Sequence, residues 1–149
     1  PIGTAMENTG AANYLSDFIL NYVNSMNLEP ILKIKYVISI LYFITFITSA
    51  FISNAAVAII LSPLAILLSN HFQISNPELL IDPTRAFLMA ICFGASASFM
   101  TPIGYQTNLM VFGPGQYKFK DFLLVGLPLT IIFWLIASYY IPIYWPILK

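Results

Sequence analysis

The chain has 149 residues, no net charge, and 8% charged side chains against 59% hydrophobic ones, with a mean hydropathy of +0.83. A soluble domain dresses its surface with roughly a quarter charged residues, so most of this surface must face lipid instead. Without a basic block to track phosphates, nucleic acid is excluded as a partner. One cysteine and one histidine leave no disulfide framework and no metal cluster.

The chain opens on Pro1 rather than Met, and no positively charged n-region with a cleavage site follows. We therefore expect a piece of a longer polypeptide that holds part of a site. Segment 1–30 is expected to carry the end of a preceding helix and then an amphipathic helix. In TGAANYLSDFILNYVNSM, Tyr14, Leu15, Phe18, Ile19, Tyr22 and Val23 recur at helical spacing, with Asn13, Asp17, Asn21 and Asn24 opposite. So polar a helix suits the membrane interface, or packing on another part of the protein, better than a crossing.

Segment 31–149 holds three uncharged runs. The first, 36–69, is 34 residues long; the second, 86–117, is 32; the third, 122–148, is 27. One crossing needs about 20 residues, so the third run reads as a last span over 122–146. Its Trp134, Tyr139, Tyr140, Tyr144 and Trp145 gather toward one end, as interfacial aromatics do. The first two runs are too long for one crossing and too short for two full ones. Each carries a polar interruption: TSAFISN (48–54) in the first, TPIGYQTN (101–108) in the second.

Two half-helices per run resolve the length. We predict a re-entrant hairpin over 36–69, with about 15 residues in each arm and Ser53-Asn54 at the tip. Over 86–117 we predict a discontinuous helix that unwinds at TPIGYQTN. Segment 70–85, NHFQISNPELLIDPTR, carries Pro77 and Pro83 and reads as an exposed loop. His71 suits an interfacial position, and Cys92, inside an apolar run, reads as a small core residue.

A helix broken inside a bilayer frees peptide groups that hydrocarbon cannot satisfy, so a break survives only in protein or at a polar cavity. Half-helix N-termini attract anions, and freed carbonyls bind small cations. The polar residues here are neutral: Ser49, Ser53, Asn54, Thr101, Gln106, Thr107 and Asn108. Neutral oxygens suit a site that binds an ion and lets it go. Sodium would use Ser and Asn side chains with carbonyls at Ile52 or Gly104, and Gly104 gives the backbone room to approach a ligand.

SAFISNAAVAIILSPLAI (49–66) and ASASFMTPIGYQTNLMVFGPG (95–115) resemble the C-terminal half of the divalent-anion:sodium symporter family. These are the sulfate and dicarboxylate transporters, and the wider superfamily includes arsenite and sodium/proton permeases. The opening GTAMENTGAANYL is similar to the segment before the family's hairpin. The resemblance implies an all-α membrane protein, here one of two inverted repeats, with the N-terminal repeat absent and the whole a homodimer. It implies secondary active transport of sulfate or a C4-dicarboxylate with sodium as the coupling ion, without an enzyme activity or a cofactor, in the cell membrane.

The same resemblance implies that Ser49 and Asn54 side chains, with carbonyls of Ile52, Gly104 and Gln106, surround one sodium. It implies an anion site at Ser53, Asn54, Ala55, Tyr105, Gln106, Thr107 and Asn108. Ala55 replaces the family's Thr at the hairpin tip, removing a hydroxyl. Tyr105-Gln106-Thr107-Asn108 stands where many relatives carry Thr-Pro-Pro-Asn, which adds donors suited to sulfate. The family orientation would place Lys118 and Lys120 in the cytoplasm and Lys33, Lys35, Arg85 and Lys149 outside, against the positive-inside tendency. A cation/proton antiporter, an arsenite-type permease and a channel-like subunit are the alternatives; an antiporter would usually want a titratable residue in the pathway, and the three runs contain no Asp, Glu, Lys or Arg.

Overall fold

A computed structural model describes residues 9–26 and 28–147. The GTAMEN stretch, the preceding-helix end expected before residue 9, and Lys149 lie outside the described residues. The described residues form six α-helices: α1 Ala11–Asn24, α2 Pro30–Ser49, α3 Asn54–Ser75, α4 Thr84–Ser96, α5 Gln106–Phe112 and α6 Phe119–Tyr144. A short 3₁₀ turn, Pro77–Leu79, lies between α3 and α4. α2, α3 and α6 are each long and apolar enough to cross a membrane, and the protein is an all-α membrane protein.

Helices α2 and α3 form a hairpin around residues 50–53. Its arms are longer than the predicted 15 residues, at 20 and 22, or roughly 30 and 33 Å. The uncharged run marked only the minimum. Pro30 sits in the first turn of α2, where its missing N–H costs nothing. The helix then continues through Lys33 and Lys35, whose aliphatic stems tolerate a membrane edge. At the other end α3 runs on to Ser75, so 70–75 is helical rather than loop.

The arms do not pack mainly on each other. α4 wedges between them, in closer contact with α2 and with α3 than the two arms have with one another. Ile34, Val37, Ile38, Leu41 and Tyr42 of α2, Val57, Leu61, Leu64 and Leu68 of α3, and Phe87, Ala90 and Ile91 of α4 make the buried core. Gly94 lets α4 approach α2. A Cβ there would lie 2.9 Å from Thr45 Cβ and 3.0 Å from the Tyr42 carbonyl oxygen. Gly94→Val in the purified full-length protein is therefore expected to destabilise it by about 1–3 kcal/mol. An unchanged thermal unfolding midpoint would refute the close packing.

Residues 76–85 are tied down rather than loose. Ser69 Oγ and Thr84 Oγ1 are 2.6 Å apart, Gln73 Nε2 donates to Asp82 Oδ1 at 3.0 Å, and Thr84 Oγ1 donates to the same oxygen at 2.7 Å. Asp82 N–H donates to the Ile147 carbonyl, 2.7 Å, joining this turn to the end of the chain. The carboxylate thus organises the turn from which α4 starts.

α1 covers α3 and touches α2, through only part of the apolar face expected. Ala12, Ser16, Ile19, Leu20 and Val23 are buried, while Tyr14, Phe18 and Tyr22 are 79%, 67% and 55% exposed. Small and aliphatic side chains bring the helix close to its neighbours, and the three rings, one turn apart, remain outside. Cys92 is likewise exposed and not in the core. His71 is exposed, with its ring edge-on to Phe72.

α6 begins at Phe119, three residues before the expected span. Asp121 explains the early start: its Oδ2 accepts the Lys118 N–H at 2.7 Å, and its charge suits the positive end of the helix. Only Gly126, Thr130 and Ile141 of its 26 residues are buried. Trp134 Nε1 donates to the Ser39 carbonyl, 3.0 Å, and fixes α6 against α2. The remaining surface is apolar and outward, as lipid or further protein requires.

Candidate functional site where two interruptions meet

The second run is broken, but earlier than TPIGYQTN suggested. α4 stops at Ser96 and α5 starts at Gln106, so 97–105 is non-helical, and Gln106, Thr107 and Asn108 form the first turn of α5. Proline and glycine marked the middle of the break rather than its start. The carbonyl of Gln106 accordingly enters the α5 hydrogen-bond ladder, while the amide of Asn108 turns back into the break.

The hairpin tip and the break are bonded to each other. Ser49 Oγ lies 2.8 Å from Asn54 Oδ1 and 2.6 Å from the Ala95 carbonyl oxygen, and can donate to either. Ser98 Oγ lies 2.8 Å from the same Asn54 Oδ1 and 3.3 Å from the Ala95 oxygen. Thr101 Oγ1 donates to the Ala50 carbonyl and accepts the Gly104 N–H at 3.0 Å. Asn108 Nδ2 donates to the carbonyls of Ser98 (3.2 Å) and Thr101 (3.1 Å).

Side chains thus serve the peptide groups that the interruptions release. Among the described residues no buried side-chain N or O atom lacks a partner, which is what makes such a break tolerable away from water. Ser49, Ser98, Thr101 and Gly104 are buried, and Asn54 and Asn108 half-buried. Gly104 is required by proximity: a Cβ would come within 3.0 Å of the Ser49 carbonyl oxygen and of Ser98 Cβ.

A cavity of about 520 Å³ opens beside this cluster, with Asn54, Ser98, Phe99, Tyr105, Thr107 and Asn108 on its walls. The geometry therefore brings Ser49, Asn54, Gly104 and Asn108 together and sets Tyr105 and Thr107 at the cavity. Ile52, Ser53, Ala55 and Gln106 are exposed and stand off its walls. Ser98 and the Ala95 carbonyl were not among the predicted site residues. The signal for them was ASAS (95–98), two hydroxyls alternating with small residues shortly upstream of Pro102. Among the described residues no group of three His, Cys, Asp or Glu could hold a metal, so the cluster offers neutral oxygens only.

The sequence profile of the family described as "Citrate transporter" (CitMHS) matches residues 1–148. An uncharacterised transporter of Synechocystis is 38% identical over 132 residues, covering 89% of this chain and 19% of that protein. A putative sulfur deprivation response regulator of Chlamydomonas reinhardtii is 37% identical over 132 residues, covering 88% of this chain and 20% of its own length. A probable sodium/sulfate cotransporter of the same alga is 30% identical over 138 residues, covering 93% of this chain and 14% of its own length. The chain spans about a fifth or less of these relatives.

Proposed function

This chain belongs to the citrate transporter family, and we propose that it forms one of two inverted repeats in a sodium-coupled carrier of a divalent anion, sulfate in the first place. The observation that carries this reading is the meeting of two interruptions around uncharged oxygens, with Asn54 bonded to both Ser49 and Ser98. A small cation placed there would take the role of the hydroxyl protons, and its charge would favour an anion in the adjacent cavity.

Sulfate is favoured over a carboxylate by two things. A relative bearing the words sodium/sulfate cotransporter covers 93% of this chain at 30% identity. The cavity walls also carry hydrogen-bond donors at Tyr105 and Thr107, which match an anion with acceptor oxygens on all sides. The named family description favours carboxylates, so a C4-dicarboxylate or citrate is the second reading. No Asp, Glu, Lys, Arg or His stands on the described walls of the cavity, which speaks against proton exchange through it. In this reading sodium orders the tip and the break, the anion docks beside them, and the loaded unit moves across the cell membrane.

The test is uptake of radiolabelled sulfate, succinate and citrate by the full-length protein in vesicles. Sulfate uptake should rise with an inward sodium gradient and fall to background when potassium replaces sodium. Uptake driven by a proton gradient and indifferent to sodium would overturn the coupling. Preference for citrate or succinate at equal sodium would overturn the anion.

A further inference from the structure

We propose that Ser98 is a side-chain ligand of the coupling ion, and that the Ala95 carbonyl is the acceptor that frees its oxygen for the task. This rests on the sodium reading above and adds to it a residue in the segment between α4 and Gly104.

Three side-chain oxygens form a small triangle. Asn54 Oδ1 is 2.8 Å from both Ser49 Oγ and Ser98 Oγ, and the two hydroxyl oxygens are 3.4 Å apart. They come from three places: the last residue of α2, the first of α3 and the second residue after α4. Such a triangle fits one face of a coordination shell with oxygens about 2.3–2.6 Å from a hard cation. Ser98 is 3% exposed, so its hydroxyl has few other ways to be satisfied.

The protons can be followed. Each serine carries one hydroxyl hydrogen, and an amide oxygen has two lone pairs. Directed at Asn54 Oδ1, the two hydrogens occupy both pairs and leave no room for a cation. α4 ends at Ser96, which leaves the Ala95 carbonyl outside a regular helical bond, 2.6 Å from Ser49 Oγ and 3.3 Å from Ser98 Oγ. Rotation of both hydroxyls about Cβ–Oγ moves their hydrogens to that carbonyl. Lone pairs of Ser49, Ser98 and Asn54 then face one point. No proton leaves the protein, because the triangle holds no titratable group, and a cation replaces two hydrogen bonds that re-form nearby.

The experiment compares Ser98→Ala, Ser98→Cys and Ser98→Thr in the full-length protein, reading the sodium concentration for half-maximal uptake and the anion KM at saturating sodium. Loss of one ion-directed oxygen should raise half-saturating sodium about tenfold or more. Cysteine keeps the volume but offers a soft sulfur that a hard cation refuses, so it should behave as alanine, while threonine keeps the hydroxyl and should stay near wild type. The anion KM should move less than about twofold, since anion binding is read with the ion site filled. If all three variants lower only the maximal rate, or shift the anion KM with half-saturating sodium unchanged, Ser98 is merely structural and the proposal falls. Wild-type uptake that ignores sodium overturns the sodium reading and this assignment together, a result distinct from the first. Should Ser98→Ala fail to reach the membrane, the cysteine and threonine pair decides alone.

Discussion

Asn54→Ala in the full-length transporter is expected to abolish sodium-stimulated anion uptake while leaving the protein in the membrane. Asn54 opens α3, and its Oδ1 is the atom on which Ser49 and Ser98 converge. Alanine removes that oxygen and leaves two hydroxyls that still reach the Ala95 carbonyl, so no buried donor is stranded. The folding cost is then modest, about 1 kcal/mol for a lost hydrogen-bond acceptor. The functional cost is larger, because the proposed ion site loses its one amide oxygen and with it the bridge between tip and break. Uptake should fall at least a hundredfold at physiological sodium, with membrane abundance on a blot little changed. Retained uptake with unaltered sodium dependence would remove Asn54 from the site.

How much of this could be read without coordinates depends on the kind of signal. Charged and polar residues marked off the first run and the last apolar helix, because lipid accepts few of either: Lys35 and Asn70 bound the one, and Asp121 precedes the other. They misjudged helix lengths, since Lys33, Lys35 and the polar residues of 70–75 are compatible with a helix leaving the membrane. Proline and glycine announced the break around Pro102 and Gly104, yet a helix stops where its carbonyls find other partners. Here that point is Ser96, with Ser49 and Ser98 on the Ala95 oxygen.

The site divided in the same way. Ser49, Asn54, Gly104 and Asn108 carry side chains or space whose use is encoded in residue type, and they do converge. Ser98 was not among the predicted residues, and it reaches Asn54 through a turn after α4 that periodicity does not encode. The apolar face of α1 was drawn around the wrong side chains in part, for a related reason: Ile19 and Val23 are buried but the rings are not. Apolar spacing along a helix counts Tyr and Phe alongside Leu, but close packing on α3 selects by shape, and Ala12 and Ser16 went in while Tyr14 and Phe18 stayed out.

Gly126→Ala should damage both stability and uptake, although it lies on α6, outside the polar cluster. A Cβ at Gly126 would stand 2.1 Å from the Phe99 carbonyl oxygen, 2.5 Å from its carbon and 2.9 Å from Met100 Cα. All three are backbone atoms of the non-helical segment, and no side-chain rotation can clear them. α6 cannot simply retreat, because Trp134 is bonded to the Ser39 carbonyl and Ser138 to the Ser39 hydroxyl. The break must therefore move, and with it the Ser98 and Thr101 carbonyls that hold Asn108. Overpacking of this severity costs about 3 kcal/mol or more, seen as a lower unfolding midpoint in detergent, and uptake should drop to near background. Gly113→Ala is the matched control: nothing lies within 4 Å of its Cβ and its φ of −72° suits alanine, so it should stay within about 0.5 kcal/mol of wild type. Equal behaviour of the two variants would mean that α6 does not touch the break, and that the unwound segment is positioned by the hairpin tip alone.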